Sequence, residues 1–227
     1  MEAHPSKSRA LIAFALFAGT GMAHAGPGDI HNLGTLPGGS DSVGYAINAS
    51  GQVAGWSVRS PDAVPHAFRY TGMPGSGGAM ADLGTLTSAG FPESYGQAIN
   101  ASGQVAGWSG TTGDAAQHAF LYTGTPGVDG QMIDLDAWLD ANNPAEGAKW
   151  TLFEAQGLSD TGWITGRGTY DPDGPGGVDA SNRAFLLDAS ALVPEPGAIG
   201  FLTLAAGFSL LRRSRRPRFS ERLAARL

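Results

Sequence analysis

The chain has 227 residues and no cysteine, so it holds no disulfide and must be stabilised by packing and hydrogen bonds alone. With 35 glycines, 14 prolines, 42% hydrophobic and only 15% charged residues, it reads as an all-β protein of short strands and tight turns, not a disordered chain. The net charge of −6 hides a segregation: between Ala10 and Leu211 five basic residues face eighteen acidic ones, and such a surface excludes nucleic acid as a partner.

Residues 1–25 read as a secretory signal. Lys7 and Arg9 give the charged start, Ala10 to Ala18 is an apolar run of nine, and Ala23-His24-Ala25 supplies small residues around a cleavage point before Gly26. The expectation is a signal helix removed by signal peptidase after passage through the Sec export machinery.

The middle of the chain is duplicated. Ala46 to Ser57 (AINASGQVAGWS) returns letter for letter as Ala98 to Ser109, fifty-two positions later. His66-Ala67-Phe68-Arg69-Tyr70-Thr71-Gly72 returns at the same offset as His118-Ala119-Phe120-Leu121-Tyr122-Thr123-Gly124. Leu33-Gly34-Thr35-Leu36 has its counterpart at Leu83-Gly84-Thr85-Leu86. A worn third copy runs through Gly157 to Gly166 and Asn182 to Leu187, without the His. The domain then covers 26–190, with repeats at about 33–81, 82–133 and 134–188.

Each repeat is expected to hold about four antiparallel strands. Val43–Asn48 and Gln52–Ser57 flank Ala49-Ser50-Gly51, a hairpin signal in which Gly51 and Gly103 need φ > 0. The His-Ala-Phe arm and the run Met80–Leu86 supply the other two strands. Period-2 geometry puts His66, Phe68 and Tyr70 on one face, toward the core, and Ala67 and Arg69 on the other, outward or toward a neighbouring unit. Ala137–Thr151 has helix-compatible spacing at Trp138-Leu139 and is expected to form one short turn. Four strands per repeat predict a propeller-like array of two clear blades and one degenerate. An open three-blade stack, a three-fold barrel and closure by another chain all satisfy that pattern.

The C-terminal part changes character. Val193-Pro194-Glu195-Pro196-Gly197 precedes Ala198–Leu211, fourteen largely apolar residues without charge, and then Arg212-Arg213-Ser214-Arg215-Arg216-Pro217-Arg218. A helix of that length spans ~21 Å against a hydrocarbon core of ~30 Å. Arg212, Arg213, Arg215 and Arg216 mark a cytoplasmic stop and can snorkel, so a single transmembrane helix is expected, with 219–227 as a cytoplasmic tail.

This order resembles the PEP-CTERM sorting signal of exported bacterial proteins, over Val193 to Arg218. The resemblance implies that a membrane-embedded cysteine transpeptidase, exosortase, recognises Pro194, Glu195 and Pro196 and removes the tail. The repeats resemble the extracellular HAF repeat family over about Leu33 to Leu187. That resemblance implies secretion and a β-rich repeat, and brings no activity with it.

Candidate chemistry is sparse. His66 and His118 are the repeated titratable groups, yet no His or Cys stands near them at metal spacing, and a packed or hydrogen-bonded role is the simpler one. Asp171, Asp173 and Asp179 in a glycine-rich loop, and Asp134, Asp136 and Asp140, offer carboxylates for Ca²⁺ but lack the EF-hand's closing Glu. Asn48-Ala49-Ser50 and Asn100-Ala101-Ser102 match a glycosylation sequon, but turn formation explains them as well. No Gly-x-Ser-x-Gly elbow or phosphate-binding loop is present. Trp56, Trp108, Tyr70 and Tyr122 could form an aromatic platform for sugar, or simply pack.

The expectation is therefore an exported bacterial surface or extracellular-matrix protein without enzymatic activity, cofactor or metal. It is held transiently in the inner membrane, then released to the cell surface, as a structural or adhesive scaffold. The alternatives are a carbohydrate-binding module for exopolysaccharide and, last, a hydrolase using His66 or His118.

Overall fold

The structure is a computed structural model that describes residues 27–74, 76–90, 92–112, 117–174 and 179–193. The signal residues Ala23, Ala25 and Gly26, the Pro194-Glu195-Pro196 motif, the apolar segment and the arginine cluster lie outside the described residues. No helix among the described residues is long and apolar enough to cross a membrane. Residues 1–31 form one unit, described only from Pro27 and holding a turn at Pro27-Gly28; residues 32–227 form a second, which contains every sheet.

Among the described residues that second unit is all-β apart from two short helices and one 3₁₀ turn. Sheet 1 is an antiparallel meander of β1 (Ser42–Ile47), β2 (Val53–Val58), β3 (Pro65–Met73) and β4 (Ser76–Asp82). Sheet 2 repeats it with β5 (Ser94–Ile99), β6 (Val105–Gly110), β7 (Gln117–Thr123) and β8 (Gln131–Asp134). Sheet 3 has three strands where four were expected: β9 (Trp150–Leu158), β10 (Trp163–Tyr170) and β11 (Ser181–Asp188). After β11 the chain makes a 3₁₀ turn at Ser190–Leu192 in place of a fourth strand. The expected strand Met80–Leu86 also ends early, at Asp82, because Leu83 to Leu86 leave sheet 1 to cover sheet 2. No closed barrel forms among the described residues.

The insert before sheet 3 folds as two helices, α1 (Leu135–Asn142) and α2 (Pro144–Gly147), not the single turn expected. Asp134 starts the first, its Oδ1 accepting from the backbone N–H groups of Asp136 and Ala137 at 3.0 and 3.1 Å. Leu135 and Leu139 then turn inward, one helical turn apart, and join the core between sheets 2 and 3.

Each sheet has a leading face toward the preceding sheet and a trailing face toward the next. The trailing Ala54 and Ala67 of sheet 1 pack with the leading Val105, Phe120 and Tyr122 of sheet 2. The trailing Ala98, Ala106, Ala119 and Leu121 of sheet 2 pack with the leading Leu152, Ala155, Ile164 and Phe185 of sheet 3. Both faces of sheet 2 are thus core. Arg69 settles accordingly: it points not outward but into the next sheet, where Nη1 donates to the carbonyls of Gly103 and Gly124 at 2.6 and 3.2 Å. Burial pushes its pKa down, and Nε finds no partner among the described residues. Leu121, its counterpart, does the same packing without the charge.

Two local devices recur. Gly51 and Gly103 close the first hairpins at φ +76° and +78°, as expected. A Cβ at Gly107 would run into the Tyr95 carbonyl, so only glycine lets the first strand bulge there and carry an extra residue.

The asparagine of each hairpin then ties sheet to sheet. Asn100 Oδ1 accepts from Gln104 N at 3.0 Å while its Nδ2 donates to Gln104 Oε1 at 2.7 Å and to the Ser159 carbonyl at 3.5 Å. Asn48 does the same around Gln52, and its Nδ2 reaches the Asn100 carbonyl at 2.9 Å. Asn100 is buried, Asn48 half-buried. Asn100→Ala is therefore expected to destabilise by about 2–3 kcal/mol, since it strands the buried Gln104 amide, and Asn48→Ala by about 1 kcal/mol. Urea unfolding of the two variants decides it; equal losses would sink the ladder.

Candidate functional site

The residues proposed for chemistry fall into two groups, one at the ends of the third strands and one across the middle of the sheets. In the first, β3 lies against β4 so that Phe68 is opposite Asp82, which brings the preceding His66 within reach of that carboxylate. His66 Nδ1 meets Asp82 Oδ1 at 3.0 Å and Oδ2 at 3.1 Å. The next repeat matches it, with Phe120 opposite Asp134 and His118 Nδ1 at 2.8 Å from Asp134 Oδ2. The far nitrogens meet carboxylates too: His66 Nε2 lies 3.7 Å from Asp62 and His118 Nε2 3.7 Å from Asp136. Where a hydrolase would need a hydroxyl, each histidine faces an acid.

These pairs bend titration in opposite directions. Burial pushes Asp82 up, but hydrogen bonds from His66 and the Gly84 N–H, with the charges of His66 and Arg59, hold it below the usual carboxylate range. His118 is raised by its hydrogen bond to Asp134, with burial opposing and the charges of Asp134, Asp136 and Asp140 adding. Burial raises Asp136, although the Leu152 N–H partly offsets it.

The carboxylates proposed for Ca²⁺ are occupied by structure. Asp134 caps α1, and Asp136 Oδ1 accepts from Leu152 N at 2.7 Å. Asp171 accepts from Asp173 N at 3.2 Å in a surface turn. Asp136, Asp140 and Asp171 do line one open groove of about 340 Å³, but no cluster of metal-ligating side chains forms among the described residues.

Of the four aromatic residues expected to form a platform, two are half-exposed and two are buried. Tyr70 and Tyr122 are only 3% and 4% exposed, packed on leading faces inside the core, and cannot meet a ligand. This corrects their place in the platform. Period 2 sends them to the same side as Phe68 and Phe120, and that side is covered. Trp56 and Trp108 lie on the opposite face and stay half-exposed.

Between them sits a residue the repeats do not announce. Tyr95, opposite Trp108 in the β5–β6 register, stacks on Trp108 with ring centroids 4.3 Å apart and meets Trp56 of the preceding sheet at 5.7 Å. Tyr45 extends the row, its hydroxyl accepting from Trp56 Nε1 at 3.1 Å, and it is 54% exposed. Burial in the stack, then Glu93 beside its hydroxyl, push Tyr95 up to about 12.

In sheet 3 the same register positions hold Glu154 and Arg167, which form an ion pair at 2.6 Å. Gln97 from β5 also donates to Glu154. Burial raises Glu154, but the Arg167 and Gln97 hydrogen bonds outweigh it and lower its pKa. The result is a row of flat aromatic faces ending in a carboxylate, a guanidinium and an amide. Such a row can stack a planar or sugar-like ring and offer it polar partners at one end.

The sequence signal for the histidine pairs was present as Asp82 and Asp134, sixteen residues after each His and at the repeat offset. That for Tyr95 was absent, because the first repeat has Val43 in its place.

A raised native pKa for His118 means that folding favours proton uptake. Its stabilisation is full below the ordinary value of 6.5 and is lost as pH rises through the raised one. The urea midpoint is expected to fall across that window, and less so in His118→Gln. An NMR titration of the His118 ring at or below 6.5 would rule the pairing out.

No family model matches the chain, and no curated protein or solved structure is significantly similar to it.

Proposed function

We propose that the chain is an exported bacterial surface or extracellular-matrix protein, a structural or adhesive scaffold of propeller-like blades sorted by its C-terminal segment. The observation that supports this best is the use to which the repeated residues are put. Asn48, Asn100, Arg69 and the alanines of the trailing faces join one sheet to the next, and the repeated histidines lock onto acids of their own unit. Such a chain is built to extend a surface, and the reading includes no catalytic step, cofactor or metal. Export, exosortase processing and transient anchoring in the inner membrane rest on the sequence of residues 1–25 and 193–218.

A second reading has an observation of its own. The half-exposed row of Trp56, Tyr95 and Trp108, ending at Glu154 and Arg167, has the composition of a carbohydrate platform. Extracellular polysaccharide is the ligand class that an exported, acidic repeat protein would meet there.

Two measurements test these readings. Intact mass spectrometry of the protein from its host's membrane and medium should find, outside the cell, a species beginning at Gly26 and ending near Pro196. A lasting membrane form that keeps Arg212 to Leu227 would overturn the sorting half. Titrating the host's exopolysaccharide should leave Trp fluorescence unsaturated if the chain is scaffold alone. A saturable change that Trp108→Ala weakens ten-fold or more, corresponding to ~1.4 kcal/mol, would move the assignment to the second reading.

A further inference from the structure

The stack is partly open at both ends. Leu33 and Leu36 cover Phe68 and Tyr70 on the leading face of sheet 1. The β1–β2 part of that face and the trailing face of sheet 3 stay exposed, and they correspond to surfaces that are buried in the joints between sheets inside the chain. On the leading side, Ser94, Gly96 and Val105 of sheet 2 are buried against sheet 1. Their counterparts in sheet 1 are Ser42 and Gly44, both exposed, and Val53, half-buried. Ile47, at the end of the same strand, is 68% exposed.

On the trailing side, Ala106, Ala119 and Leu121 of sheet 2 are fully buried against sheet 3. Their counterparts in sheet 3 are Thr165, Ala184 and Leu186, all exposed, Leu186 to 69%. Trp163, which stands where the buried Gln104 stands in sheet 2, is 44% exposed.

The polar part of the joint is also half-made. Between sheets 1 and 2 the Ala67 N–H donates to Ser94 Oγ at 2.8 Å, and Ser94 Oγ donates to the Gly84 carbonyl at 2.6 Å. Ser42 Oγ makes the second bond, to the Gly34 carbonyl at 2.7 Å, and among the described residues no backbone N–H donates to it. The residue that corresponds to Ala67 in the last sheet is Ala184.

We propose that the occupant of each open face is the opposite open face of a second copy of this chain. The trailing face of one copy's sheet 3 seats on the leading face of the other's sheet 1, with Ala184, Leu186 and Trp163 against Ser42, Gly44 and Ile47. The contact is heterologous, head to tail, and two copies joined at both ends give six sheets, a number at which propellers close. Like faces do not complement each other: two leading faces would set serine against serine, with neither the strand N–H that the joint between sheets 1 and 2 supplies nor the leucine that the joint between sheets 2 and 3 supplies. Ser159 replaces the asparagine of the ladder here, so this joint lacks one Nδ2 donor and rests on the apolar faces and Ser42. The inference depends on sheet packing and stands whatever the protein binds.

The chain's lack of cysteine makes the test direct. In the internal joint the 2.8 Å bond from Ala67 N to Ser94 Oγ keeps the two Cα atoms within about 7 Å, near the limit a disulfide spans. Full-length chains carrying Ser42→Cys and chains carrying Ala184→Cys, purified in mild detergent, mixed and oxidised, should therefore cross-link into dimers. Neither variant should cross-link alone. Light scattering should give twice the chain mass for the unmodified protein, and the single-chain mass for Ile47→Asp and for Leu186→Glu. Those two variants mixed should regain the double mass through their one intact joint, which also shows that both have folded.

Three outcomes overturn the proposal. They are cross-linking of Ser42→Cys chains among themselves, a single-chain mass for the unmodified protein at every concentration, and a ladder of higher masses in place of a closed pair.

Discussion

The asparagine of the Asn-Ala-Ser-Gly turn is the residue on which the rest of the architecture depends. A hairpin turn leaves backbone groups without strand partners, and a buried turn must satisfy them from its own side chains. Asn100 does so on one side with Gln104 and still has an Nδ2 proton to give the next sheet. One side chain closes a turn and fixes the distance to the following unit. The glycine after it supplies the positive φ, and the bulge opposite Gly107 sets the twist of the strand that follows.

From that constraint follows the character of the two faces. Sheets held in series bury both sides of the middle one, with alanines and leucine on its trailing face and valine, phenylalanine and tyrosine on its leading face. Where a charge intrudes, as at Arg69, it survives because two carbonyls of the next sheet receive it. Removing it without filling the space would leave those acceptors unpaired and a cavity behind, whereas leucine at the same place in the next repeat needs neither. The series also explains why its ends differ from its middle: a face designed for a neighbour stays apolar when the neighbour is missing.

The functional candidates sit where this packing relaxes. The histidine–aspartate pairs lie at strand ends, where a side chain can reach across to the closing strand, and His118 and Asp134 also tie sheet 2 to the start of α1. The aromatic row lies where the sheets leave a strip half-open, and it changes from rings to an ion pair as the repeat wears down. Degeneration of the third unit is thus chemical as well as geometric: it loses a strand and the histidine, has Arg167 where the earlier units have the tryptophan of the row, and gains two helices.

By itself the sequence determined what is local and periodic. Identical twelve-residue runs carry identical hairpins, Gly51 and Gly103 occupy left-handed turns, and alternation assigns Phe68 and Ala67 to opposite faces, because these depend on residues a few positions apart. Tertiary structure alone decided what each face meets. Whether Tyr70 is a platform or core, whether Arg69 looks outward or inward, and that Tyr95 lies between two tryptophans were not legible, since alternation names two faces but not which of them is covered. The His66–Asp82 pair needed the β3–β4 register, and the burial of Leu135 and Leu139 needed the packing of α1 against sheets 2 and 3. Local geometry is written in adjacent residues; burial is a property of the neighbours that the fold brings, and a repeat cannot specify from within itself which of its copies will stand at the end.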